Sequence, residues 1–167
     1  MREVVIAFTT DRALALISIG SIGSAAKVAA ISIAKLLEDG SDLVRSSAAD
    51  ALGELGNASE LVVQALLSRL SHKSDDVEVR SNVVEALGKL GNDSELVVQE
   101  LLSCFTNESE LVEIRLCVAE DLIKLDRFDQ DGISVLETLF PYGGRDVGFH
   151  ARAILQSITK GKELKEN

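Results

Sequence analysis

Apolar residues recur along this chain at intervals of three and four. Leu61, Leu66, Leu67 and Leu70 form one such stripe, and Val79, Val83, Leu87 and Leu90 form the next. This is the spacing of one face of an α-helix, so the two stripes predict a pair of helices joined by a short polar turn. The punctuation between stripes agrees. Ser59 and Ser94, each followed by Glu, stand at expected N-caps, and Asp75 with Glu78 has capping-box spacing before Val79. Gly56-Asn57 and Gly91-Asn92 are placed to end helices, and Asp39-Gly40 and Pro141 punctuate others. Strand signals are weak, because the Val pairs lie inside helical patterns.

The pattern repeats. Val44 to Leu70 aligns with Val79 to Phe105 after a shift of 35 residues, with 18 of 27 positions identical. A further shift of 35 brings Arg115, Val118, Leu122 and Leu125 into register with Arg80, Val83, Leu87 and Leu90, and sets Leu136 and Phe140 under Leu101 and Phe105. Moving back by 33 places Arg12 under Arg45 and Ile33 and Leu37 under Leu66 and Leu70. A fixed period of this size marks a stacked array. The expected fold is all-α: an α-solenoid of antiparallel helix pairs with about four to five repeats. We expect one repeat domain over residues 1–160, with units near 1–23, 24–56, 59–91, 94–125 and 131–160, and a charged tail at 161–167.

Composition narrows the function. A formal net charge of −10 with scattered lysines and arginines argues against nucleic acid and anionic membrane surfaces. No apolar run reaches the roughly 18 residues of a membrane span, and Arg2-Glu3 does not open a secretory signal. Two cysteines, Cys104 and Cys117, are too few for a disulfide framework, and a cytoplasmic protein is the expectation. The Asn-x-Ser matches at Asn57, Asn92 and Asn107 then read as turn chemistry rather than glycan sites. His72 and His150 lack a second ligand at metal spacing, and neither they nor the cysteines compose a nucleophile arrangement. No catalytic residue, metal or cofactor is expected, and no glycine loop suits a phosphate or other small-molecule ligand.

Val44-Arg45 through Ala51-Leu52-Gly53-Glu54-Leu55-Gly56 recurs as Val79-Arg80 through Ala86-Leu87-Gly88-Lys89-Leu90-Gly91. This motif resembles the HEAT repeat, and within it the HEAT-like subfamily named for phycobilisome lyases. The form GNASELVVQALL is similar to arrays attached to bacterial NACHT-type proteins. The resemblance runs over about residues 11–140. It departs at Asp11 in place of Val, at Ile123 and Asp126 in place of glycine, and at the inserted Tyr142-Gly143-Gly144. It implies that the second helices line a concave face. It also implies that the register-locked arginines Arg12, Arg45, Arg80 and Arg115 are structural and tie neighbouring repeats, with Asp42, Asp76 or Glu110 as turn carboxylates. The alternative carried by the resemblance is a bilin lyase or lyase subunit acting on phycobiliproteins.

On a helical wheel, Ser81, Glu85, Gly88 and Lys89 lie opposite the apolar stripe. Their equivalents are Ser46, Asp50, Gly53 and Glu54 one repeat earlier, and Leu116, Glu120, Ile123 and Lys124 one repeat later. Ile17 holds the same place in the first unit. These residues are the candidate partner-binding face: small and acidic in the middle, apolar at both ends. Exposed apolar groups beside charges suit an interface, and an acidic groove selects a basic protein or peptide partner. The expected function is therefore a protein-interaction module or scaffold.

Overall fold

The computed structural model describes residues 11–16, 18, 29–91, 94–125, 127, 133–134, 136–137, 151–156 and 158. Ile17, the short apolar stretch Val4 to Phe8, the Tyr142 loop, His150 and the tail at 161–167 lie outside the described residues. The fold is an all-α helical repeat structure of the HEAT type. The chain divides into two compact units, residues 1–93 and 94–167.

In the first unit, α1 (Ala30–Ala34) tightens into a 3-10 turn over Lys35–Glu38, followed by α2 (Asp42–Leu55), α3 (Glu60–Leu70) and α4 (Val77–Leu90). α2 packs most extensively on α4, while α1 and its 3-10 turn pack on α2 and α3. Two layers result: α1 and α3 form one, α2 and α4 the other. The core between them is aliphatic, with Leu37, Val44, Leu52, Leu55, Val62, Leu66, Val79, Val83 and Leu87 buried. Both helices of the second layer end at a glycine in the left-handed region, Gly56 at φ 61° and Gly91 at φ 58°. A side chain would be strained there, which is why glycine closes each of them.

Helix starts differ in detail from the sequence expectation. α4 begins at Val77, not Val79, and its cap is Asp76, whose carboxylate accepts from the Glu78 amide at 2.9 Å. Asp75 is drawn inside the unit instead. Ser59 and Ser94 occupy the N-cap positions, but their hydroxyls make no capping hydrogen bond. At Ser59 the preceding turn is held by Asn57, whose side-chain oxygen accepts from the Ser59 amide at 3.0 Å.

In the second unit, α5 (Glu95–Thr106) packs against α6 (Val112–Lys124), and residues 133–134, 136–137 and 151–156 are also helical. Its buried residues include Val97, Leu101, Phe105, Ile114, Val118, Leu122, Leu136 and Ile154. α6 closes at Leu125 in an ordinary right-handed conformation (φ −80°), without the glycine that ends α2 and α4.

Candidate interaction faces

Arg45, Arg80 and Arg115 sit near the starts of their helices and reach back to backbone carbonyls at or just beyond the end of the preceding helical segment. Arg115 donates through Nε to the Phe105 carbonyl at 2.7 Å, and Arg80 donates through Nη2 to the Leu70 carbonyl at 3.3 Å. These are equivalent positions one repeat apart, and each arginine satisfies a carbonyl that the preceding helix leaves open. Arg115 also lies 6.0 Å from the Phe105 ring centre. Burial pushes its guanidinium below the usual arginine value, against the opposing pull of Glu108 and Cys104.

In the first unit this arrangement grows into a charge network. Asp75 accepts from Arg69 at 2.5 and 2.8 Å and pairs with Arg45 at 3.1 Å. Arg45 also pairs with Asp42 and donates to the Asp39 carbonyl at 2.7 Å. Arg12 pairs with the Asp39 carboxylate, and Arg69 reaches the Leu37 carbonyl at 3.2 Å and Glu38 at 3.1 Å. The partners thus include Asp42, while Asp76 caps α4. Sequence reasoning missed Arg69 and the buried role of Asp75. The signal was present: Arg69 continues the stripe of Val62, Leu66 and Leu70, and a charge on a core stripe needs a buried counter-charge. Asp121, on the stripe of Ile114, Val118 and Leu122, is also a buried charge, but its partner is an exposed lysine. It receives Lys124 at 2.8 Å.

The open face of α2 and α4 is built around Lys89. Its ammonium lies 2.6 Å from Glu54, 3.0 Å from Glu85 and 3.3 Å from Asp50. Partial burial works against the charge, but the hydrogen bonds that the ammonium donates to Glu54, Glu85 and Asp50 outweigh it and hold the Lys89 pKa above the usual lysine value. The three carboxylates are about half exposed, at 47–54%. The approach of the helices beneath them depends on Gly53. A Cβ there would come within 3.0 Å of the Ala86 Cα and 3.1 Å of the Lys89 side chain.

The remaining candidate residues divide. Ser81 is half-buried on the same helix as Glu85. Ser46 is buried, with its hydroxyl donating to the Leu43 carbonyl at 3.2 Å, so it does not line an open face. Gly53, expected opposite the core, faces α4. In the second unit Leu116 is 2% exposed and belongs to the core, against expectation. Ser46 is covered because α4 packs on the flank of α2, where Asn82 donates to the Ser46 carbonyl at 3.3 Å. Lys124 is exposed and Glu120 and Ile123 are half-buried, and with Ala153 and Ile154 they line a hollow of about 360 Å³. No group of His, Cys, Asp and Glu suited to a metal ion occurs among the described residues. Nor is any described helix long and apolar enough to cross a membrane.

The pattern of HEAT repeats matches residues 7–78 and 32–120 of this sequence. The chain belongs to the HEAT repeat family. HEAT repeats commonly serve as protein-interaction scaffolds, generally bind protein partners and are generally non-enzymatic. The match is to HEAT repeats at large and does not single out the phycobilisome-lyase-type subfamily or the NACHT-linked arrays. No curated protein matches the sequence.

Proposed function

We propose that this HEAT protein is an interaction module without catalysis of its own, and that the α2–α4 face receives a lysine- or arginine-rich segment of a protein partner. The observation that carries the reading is the convergence of Asp50, Glu54 and Glu85 on the single ammonium of Lys89. Three carboxylates against one ammonium leave this face two negative charges in excess (3 − 1 = 2). Half-exposed carboxylates on a rigid helix pair are pre-positioned for a cation, so little conformational freedom is lost on binding. In the second unit, the half-buried Ile123 beside Glu120 offers an apolar contact next to an acid.

The test uses a lysine-rich peptide as probe, with binding followed by fluorescence anisotropy. Wild type should bind it with an affinity that falls as salt rises, since the contacts are exposed. Glu54→Lys with Glu85→Lys should abolish the interaction while leaving the helical circular dichroism intact. Equal binding by wild type and variant would remove this face from consideration.

A further inference from the structure

Lys89 fills the cationic position of the α2–α4 face from within the chain. Its ammonium lies 2.6 Å from Glu54 and 3.3 Å from Asp50, both on α2, and 3.0 Å from Glu85 on its own helix. Two of the three contacts therefore cross from one repeat to the next. The lysine stem takes that route over Gly53, with its Cδ 3.1 Å from the point a Cβ there would fill. Glu54 holds the register position of Lys89 one repeat earlier, so the two side chains meet as an acid and a base from equivalent places.

This contact can open without disturbing the helices. The three carboxylates are about half exposed, and 32% of the Lys89 side chain is in water. Ion pairs so exposed are individually weak, and a lysine ammonium rides on a flexible four-carbon stem. α2 and α4 are held together by other groups, the buried aliphatic core and the Asn82 bond to the Ser46 carbonyl. Swinging the ammonium into solvent leaves Asp50, Glu54 and Glu85 around a position that an ammonium already fits.

We infer that Lys89 is an internal competitor for this face: its ammonium stands where a lysine of the partner segment binds, and the partner displaces it to engage Asp50, Glu54 and Glu85. This role rests on the binding function proposed for the face and adds its regulation. A protein whose binding-competent state is only partly populated binds with an affinity lowered by that fraction. Lys89 is tethered and so competes at the high effective concentration of an intramolecular group. A single surface lysine of another protein does not displace it, whereas a segment carrying several cations does.

Anisotropy titration of the lysine-rich peptide against the full chain at physiological salt tests the competition. Lys89→Gln should bind about fivefold or more tightly than wild type, because the competing cation is gone. Lys89→Met keeps an apolar stem over Gly53 and removes only the charge, so it should do the same. Lys73→Gln changes the net charge equally. Lys73 is exposed in the turn before α4, so most of that 14-residue helix separates it from Lys89. That length, about 20 Å, exceeds the roughly 8 Å over which exposed charges act at this salt. Lys73→Gln should therefore change the affinity by less than about twofold. Circular dichroism of each variant should match wild type. Affinities of the Lys89 variants no higher than that of Lys73→Gln overturn the competition and leave the face standing as a binding site. Absence of peptide binding by all the proteins overturns both.

Discussion

Asp75 grips Arg69 with both of its oxygens, Oδ2 to Nε at 2.5 Å and Oδ1 to Nη2 at 2.8 Å, inside the first unit. The pair is out of water, and Arg45 completes it. Removing the carboxylate would strand two guanidinium groups. We expect Asp75→Ala to lower unfolding stability by about 3–5 kcal/mol in urea titrations. Glu38→Gln removes an exposed partner of the same Arg69 and should cost less than about 1 kcal/mol. Equal losses from the two would show that the network is not anchored at Asp75.

Gly53 sets the approach of α2 to α4. Alanine is the better helix former by about 1 kcal/mol. At this site its methyl group would meet the Ala86 backbone, which cannot swing aside. Gly53→Ala should therefore destabilise, by about 1–3 kcal/mol in net terms. A rise in melting temperature would mean the helices separate freely.

Cys104 stands 35 residues after Arg69, as Glu110 does after Asp75. Where the earlier repeat has a bidentate ion pair, this one has a thiol 3.9 Å from a carboxylate oxygen. Cys104→Arg should rebuild the charge pair on Glu110 and raise the melting temperature. A lower melting temperature would show that the site is fitted to the smaller side chain.

Lys89 gives a pH signature with a defined sign. Its pKa is raised in the folded chain relative to a free lysine. Its contribution to stability is therefore complete below the ordinary lysine pKa of about 10.4 and is lost as pH rises through the higher folded value. The stability difference between wild type and Lys89→Gln should be flat from neutral pH to that point and shrink above it. A difference that vanished near neutrality would contradict the carboxylate cage around Lys89.

Helix identity and the closing glycines were legible in the sequence because both are local. Leu, Val and Ala at helical spacing fix the face, and Gly56 and Gly91 mark backbone that only glycine adopts readily. The candidate face was only partly legible. Glu54, Glu85 and Lys89 lie at the surface, where long charged side chains stay without a buried partner. Ser46 was not legible as buried, because a helical wheel knows only its own core stripe and not the neighbour on its flank, here α4; Leu116, also expected to be open, is buried. Asp75 read as a cap because its partner Arg69 is six residues back in the preceding helix, and a turn acid looks the same whether it faces water or a guanidinium.

Asp39 and Asp75 also bear on how this protein comes apart. Each takes arginines from both sides of a repeat boundary: Asp39 from Arg12 and, through its carbonyl, Arg45; Asp75 from Arg45 and Arg69. If one repeat frays, the next is left with a desolvated charge that has lost its counterion. Partly unravelled forms are then penalised beyond their lost apolar contacts. Simple arrays can peel one repeat at a time, whereas residues 30–90 are wired to melt in a single cooperative step.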